Sequence, residues 1–165
     1  GISVTPERQE VMDFSIEYAK SKQVIVVLKG ADRVKSVDDL ASADTKIAVQ
    51  MSTVADFYVS DDLKKEPSRY TKYVQAAEDL KNDKVDCIVM DELPAKEMVK
   101  GNDTLEILDA EVFTDTYAFA FKKGNTELED KVNKVLQKLI DDGKIDEFTL
   151  KHTTGSDTDA DSKAE

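Results

Sequence analysis

The sequence is poor in the residues that most often carry chemistry: it has no tryptophan, one cysteine and one histidine in 165 residues. Cys87 cannot form a disulfide within the chain, which excludes a disulfide framework but not an extracellular location. Because it stands in an apolar run, we interpret it as a small buried residue. A single histidine, His152, excludes zinc sites built on two or three histidines. We therefore predict no metal site, no cofactor and no catalytic residue.

Cations and long apolar runs are also scarce. The 23 Lys and Arg stand against 35 Asp and Glu, a net charge of −12, which argues against nucleic acid and against an anionic membrane surface as partners. No run approaches the roughly 18 apolar residues of a spanning helix. The hydrophobic fraction of 40% is nevertheless enough for a folded core. Since the sequence opens at Gly1 without Met or a signal peptide, we expect a piece of a longer protein.

Strand and helix patterns alternate between residues 23 and 116, which predicts an α/β lobe with right-handed crossovers. The β-branched run at 23–28 is apolar on both faces and predicts a buried strand. Thr5 followed by Pro6 predicts a helix start, and Ser36 is predicted to cap a one-turn helix ending at Leu40. Further strands are predicted at 1–5, 46–50, 70–73, 86–90, 105–108 and 117–122, and further helices at 52–64, 76–82, 92–100 and 126–142.

The helix predicted at 126–142 has the clearest amphipathic pattern, with a stripe of six large apolar residues at helical spacing. After it, the chain from Gly155 onward has only small, polar and charged residues. Such a composition cannot bury a face, so we predict an acidic disordered tail over 153–165. The apolar stripe consists of Leu128, Val132, Val135, Leu136, Leu139 and Ile140.

Two predicted strands end at polar residues that open a helix: Ser52 and Thr53 after one, and Asp91 after the other. In open α/β sheets ligands bind at such carboxyl ends. Hydroxyls and helix N–H groups there suit a carboxylate, and Asp91 suits an ammonium group. Arg8 can clamp a carboxylate with two parallel hydrogen bonds. Taken singly, these residues are better explained as helix N-caps and as a solvent-exposed ion pair.

Several segments, in this order and spacing, resemble the extracellular solute-binding proteins of family 3, which capture polar amino acids for ATP-driven importers. The resemblance covers residues 1 to about 152. It departs from the family at Met51, where a small residue is usual, and in the missing first third of the family's chain. The segments are GISVTPER (1–8), MDFSIEY (12–18), SVDDL (36–40), IAVQ (47–50), LKNDKVD (80–86) and YAFAFKKG (117–124).

The resemblance implies an α/β, two-lobed periplasmic-binding-protein type II fold, here one complete lobe plus remnants of the other. Residues 1–22 would be a lobe 1 remnant with a hinge, and 23–116 would be lobe 2. Residues 117–152 would return to lobe 1, with a second hinge near 114–117. The strands at 1–5 and 117–122 would then lack their sheet partners. We expect such a chain to pack its lobe 1 remnants on a complementing chain or to form a swapped dimer.

The resemblance also implies a ligand site. Arg8 would bind the ligand carboxylate, with Ser52 and Thr53 assisting. Asp91 would bind the ammonium group, helped by polar groups near Gly1 and Ser3. A ligand that touches both lobes would stabilise their closed arrangement.

The implied function is binding of a polar α-amino acid and its delivery to the permease subunits of an ABC importer, without catalysis. The implied location is the periplasm, or the cell surface as a lipoprotein in a Gram-positive bacterium, with no direct membrane insertion of this chain. Two alternatives stay open. One is a prephenate or arogenate dehydratase-like enzyme on the same fold, in which Glu92 would be an additional acid; the other is a ligand-sensing domain of a receptor.

Overall fold

The computed structural model describes residues 1–153, which divide into two compact units. Unit 2 is the stretch 21–115, and unit 1 combines residues 1–20 with the chain from 116 onward. The tail predicted over 153–165 lies, from residue 154 onward, outside the described residues. Within residues 1–153, no helix is both long and apolar enough to cross a bilayer.

Strands and helices alternate along the chain, and the α/β class predicted from the sequence is confirmed. The strands are β1 (Ile2–Ser3), β2 (Met12–Phe14), β3 (Ala19–Leu28), β4 (Ile47–Gln50), β5 (Ser68–Tyr70), β6 (Cys87–Asp91), β7 (Leu105–Ala118) and β8 (Ala120–Lys122). The helices are α1 (Pro6–Val11), α2 (Val54–Phe57), α3 (Tyr73–Lys81), α4 (Glu92–Lys100), α5 (Thr126–Asp141) and α6 (Lys144–Thr153). A 3₁₀ turn covers Asp38–Ala41, and a π-helical turn, Tyr58–Asp62, continues α2.

The sheet of unit 2 has the strand order β7-β3-β6-β4-β5. β4 pairs in parallel with both β5 and β6, whereas β3 runs antiparallel to β6. The carboxyl ends of β4 and β6 therefore lie at one edge of the sheet, together with the amino-terminal part of β3. This edge carries the polar residues that follow the strands.

The core of unit 2 lies on both faces of this sheet. Alternate residues of β3 and β6 belong to two separate apolar clusters, because successive side chains of a strand point to opposite faces. Val24, Val26 and Ile88 pack in one cluster, and Ile25 and Cys87 pack in the other. The prediction of a strand buried on both faces at 23–28 is thus confirmed.

Unit 1 pairs its short strands with one another. β1 pairs antiparallel with the end of β7, and β2 pairs antiparallel with β8. The expectation that the strands at 1–5 and 117–122 lack sheet partners is therefore wrong. Asp13 supports the second pair, since its carboxylate accepts hydrogen bonds from Lys123 and from the Gly124 N–H, which hold the pKa of Asp13 below its usual range.

Two predicted strands have different bounds in the structure. The strand predicted at 117–122 is interrupted at Phe119, because both backbone groups of Phe119 bond to Ser15. The Ser15 N–H donates to the Phe119 carbonyl, and the Phe119 N–H donates to the Ser15 hydroxyl, each at 2.9 Å. Instead of the strand predicted at 70–73, the structure has β5, which ends at Tyr70. Tyr70 pairs with Gln50, the last residue of β4. Tyr73 begins α3.

The short helix predicted to begin at Ser36 begins at a different residue, Asp38. The Asp39 carboxylate accepts hydrogen bonds from the N–H groups of Lys35 and Ser36, and from the Ser36 hydroxyl. This closes a turn before the 3₁₀ segment begins at Asp38, so Ser36 is not its N-cap.

The apolar stripe of α5 is only partly covered in this chain. Leu136 is buried, but Leu128 is 47% exposed and Val135 is 60% exposed. Covering a large apolar side chain is worth about 1.5–3 kcal/mol, so a stripe of this size favours contact with another surface.

We expect residues 1–165, produced alone, to associate through this stripe. Replacing Leu128 and Val135 together by Glu should shift the chain toward monomer in sedimentation velocity, because two charges would then lie in the contact. Val74→Glu, at a 63% exposed valine of α3, is the matched control and should leave association unchanged. A monomeric parent chain whose α5 amides resist hydrogen exchange would contradict this prediction.

Candidate functional site

The turn after β4 carries the first pair of predicted ligand residues. Thr53 is the N-cap of α2, since its hydroxyl accepts the Asp56 N–H at 3.3 Å, and it donates to the Gln50 carbonyl at 2.8 Å. The N-cap interpretation of Thr53 is therefore confirmed. The helix it opens is shorter than predicted from 52–64: α2 ends at Phe57, and the chain then widens into the π-helical turn.

Ser52 precedes this cap in a left-handed conformation, with φ of 63°. Such a conformation costs a non-glycine residue about 1–2 kcal/mol. The Ser52 N–H donates to the Asp56 carboxylate at 2.9 Å, and this charge-assisted hydrogen bond offsets the strain. The hydrogen bond to Asp56 thus fixes the backbone conformation of Ser52 at the carboxyl edge of the sheet.

Asp56 is the buried centre of this turn, only 5% exposed. Besides the Ser52 N–H, its carboxylate accepts Arg69 Nε at 2.8 Å and the Ser60 hydroxyl at 3.2 Å. Arg69 also contacts Glu66. Because the carboxylate is both paired with a cation and fully hydrogen-bonded, the charge can stay buried without a large penalty.

Asp91 ends β6 at the same edge. It occupies the N-cap position of α4, but its side chain makes no capping hydrogen bond. Instead, Oδ1 accepts Gln23 Nε2 at 2.5 Å and lies 3.5 Å from the Ser21 hydroxyl. The N-cap interpretation of Asp91 therefore holds for its backbone position and is wrong for its side chain. Burial raises the pKa of the Tyr73 phenol, and the Asp91 charge raises it further.

Arg8 lies in unit 1 on a helix whose start was predicted. Thr5 caps α1 by accepting the Arg8 N–H at 3.3 Å, and Pro6 is its first residue. The guanidinium Nη1 donates to the Ser3 carbonyl at 2.8 Å, and Ser3 itself is buried. Gly1 lies beside two tyrosines: a Cβ added there would be 3.9 Å from Tyr18 Oη. Arg8 and Ser3 are thus in contact within unit 1, and Gly1 lies beside Tyr18 and Tyr117.

The sequence interpretation missed two side chains that bond to predicted site residues: Gln23, which bonds to Asp91, and Asp56, which bonds to Ser52. A weak signal existed for each. Gln23 is a long polar residue that leads an otherwise apolar strand buried on both faces. Asp56 stands three residues after Thr53, the spacing of a capping box, although its carboxylate reaches back to the N–H of Ser52 rather than to that of the cap itself.

Other candidate groups contribute little to this edge. Glu92, the additional acid of the enzyme alternative, pairs with Lys96 at 2.9 Å. Cys87 is fully buried as predicted, and burial raises the pKa of its thiol to about 12. Among residues 1–153, no group of three His, Cys, Asp or Glu side chains is arranged to hold a metal ion.

Comparison with known proteins gives consistent similarities. The sequence profile of the bacterial extracellular solute-binding proteins, family 3, matches residues 1–155. The ABC transporter glutamine-binding protein of Bacillus subtilis is 27% identical over 150 residues, which cover 91% of this chain and 55% of that protein. The chain thus spans little more than half the length of this curated relative.

Solved structures agree in fold. An amino acid ABC transporter substrate-binding protein from Streptococcus pneumoniae, bound to L-arginine, is 35% identical with a TM-score of 0.77, covering 89% of this chain and 63% of that one. An ancestral amino-acid-binding protein, a precursor of cyclohexadienyl dehydratase, is 30% identical with a TM-score of 0.80, covering 93% and 66%. The similarity extends over nearly the whole chain but only about two thirds of each structure.

Proposed function

Since this chain belongs to the bacterial extracellular solute-binding proteins of family 3, we propose that it binds a polar α-amino acid outside the cytoplasm and delivers it to an ABC importer. A zwitterionic ligand needs one cation for its carboxylate and one anion for its ammonium group, both shielded from water. In this proposal Arg8 of unit 1 binds the carboxylate and Asp91 of unit 2 binds the ammonium group. Ser52 and Thr53 supply further polar groups for the carboxylate, and polar groups near Gly1 and Ser3 help Asp91 to bind the ammonium group.

The orientation of Asp91 is the observation that supports this proposal most. A carboxylate at a helix N-cap position normally bonds to the first N–H groups of its helix. Asp91 forgoes that bond and turns toward Gln23 and Ser21 at the carboxyl edge of the sheet. The carboxylate is therefore oriented by Gln23 toward the edge of the sheet where the ligand would bind.

The identity of the amino acid is left to experiment, because the relatives compared above differ in ligand. The protein expressed from its complete gene should be screened against the twenty amino acids by thermal shift, and each hit measured by titration calorimetry. We expect stabilisation by one or a few polar amino acids, and no binding of the corresponding amines that lack a carboxylate. A flat screen with a folded protein would contradict the proposal.

The enzyme alternative is favoured by one observation, the similarity to the ancestral precursor of a dehydratase. That protein is itself described as an amino-acid-binding protein, and we propose binding without catalysis here as well. Incubation with prephenate and arogenate should give no product. Saturable turnover that disappears in Glu92→Gln would place the protein among the enzymes instead.

The proposal extends to location and partners. We expect the protein in the periplasm, or anchored as a lipoprotein on a Gram-positive cell surface, next to the permease subunits of its importer. Closure of two lobes with hinges near 18–23 and 114–117 stays a prediction from the family resemblance. A receptor that senses the same ligand would differ in gene context, where transmembrane or kinase segments would flank this region.

A further inference from the structure

A buried carboxamide lies directly beside the predicted ammonium anchor. Gln23 is only 1% exposed, and its Nε2 donates to Asp91 Oδ1 at 2.5 Å. The two residues stand opposite each other in the register of β3 and β6, so their side chains leave the sheet on the same face as neighbours. The contact is therefore set by strand pairing and not by a flexible loop.

Packing alone does not explain why an amide occupies this position. The next residues on the same face of β3 and β6, Ile25 and Val89, are fully apolar and buried, and a buried amide is unfavourable unless it is hydrogen-bonded. An aliphatic side chain of similar size would fill the space without that cost. What the amide adds is an N–H donor aimed at one oxygen of Asp91, with the Ser21 hydroxyl 3.5 Å from the same oxygen.

We propose that Gln23 is a positioning residue that orients the Asp91 carboxylate to receive the ammonium group of the ligand. This inference rests on the proposed function and adds to it a second layer of the site. A carboxylate with one oxygen fixed by Gln23 has lost most of its freedom to rotate, so it meets the ligand ready-oriented. Gln23 acts through Asp91 and does not itself have to touch the ligand.

The test uses Gln23→Leu, which keeps the size of the side chain and removes the donor. We expect the affinity for the amino acid found in the screen to fall by about tenfold or more, the range for a hydrogen bond to a charged group. In an Asp91→Asn background the same change should cost less than about twofold, because the residue it acts through has lost its charge. Gln75→Leu, at an exposed glutamine of α3, is the matched control and should bind as the parent does.

A ligand-independent readout separates this proposal from the proposed function. In the ligand-free protein, the carbon-13 resonance of the Asp91 carboxyl carbon should shift in Gln23→Leu and stay in place in Gln75→Leu. Unchanged affinity in a folded Gln23→Leu, or an equal loss with and without Asp91, would overturn the positioning role. If the resonance shifts but no amino acid binds the parent, the proposed function fails while the hold of Gln23 on Asp91 stands.

Discussion

Replacement of Arg8 by alanine is expected to weaken binding of the amino acid by about 2–5 kcal/mol, the cost of removing one partner of a buried, hydrogen-bonded charge pair. The ligand carboxylate would enter a site shielded from water without a cation to receive it. Arg8 suits this task because its own position is determined locally: α1 is capped by Thr5, and the guanidinium is tethered to the Ser3 carbonyl at 2.8 Å.

Titration calorimetry on the protein from its complete gene measures this effect. Arg33→Ala is the matched control, since Arg33 is a surface arginine whose side chain is 70% exposed and which pairs with Asp86. Asp91→Asn should weaken binding as well, because it removes the anion at the other end of the zwitterion. Unchanged affinity in both Arg8→Ala and Asp91→Asn would rule out the zwitterion arrangement.

Replacement of Asp56 by alanine is expected to lower the free energy of unfolding by about 2–3 kcal/mol. Removing one partner of a fully buried ion pair costs about 3–5 kcal/mol. We expect a smaller loss here because the Arg69 side chain is about one-third exposed. The change also releases the Ser52 N–H, whose hydrogen bond to Asp56 stabilises the left-handed turn. Affinity for the amino acid should fall together with stability.

Chemical denaturation monitored by circular dichroism gives the stability change. The control is Asp61→Ala, at an exposed aspartate in the π-helical turn that follows α2, and it should stay within about 0.5 kcal/mol of the parent. Asp56→Asn keeps the shape of the side chain and part of its hydrogen bonding, so it should fall between the two. An Asp56→Ala protein as stable as the control would mean that solvent replaces the lost contacts.

Much of the fold can be predicted from the sequence where the signal is local. The start of α1 follows from Thr5 and Pro6, and the range 92–100 predicted for α4 agrees with the structure. The apolar run of β3 already indicates a strand buried on both faces. These elements depend on capping, backbone preference and hydrophobic period, all of which act within a few residues.

Local patterns predict the candidate site only as separate residues, which the family resemblance then joins into one site. The sequence indicates Asp91 and Thr53 because each follows an apolar strand, but taken singly each is better explained as a helix N-cap. Only the structure distinguishes the two: Thr53 caps its helix, while the carboxylate of Asp91 turns to Gln23, 68 positions away along the chain. Neighbouring residues in the sequence cannot predict the hydrogen-bond partner of Asp91, because that partner depends on which strand pairs with β6.

The sequence by itself therefore determined the α/β class, the buried strands of unit 2 and the helix start that carries Arg8. The tertiary structure alone decided the length of β7, the break at Phe119 where Ser15 takes both backbone hydrogen bonds, and the partner of Asp91. The physical reason is the same in each case. Hydrogen bonds within a turn of chain are selected by local residue types, whereas those between distant strands are selected by the packing that brings the strands together.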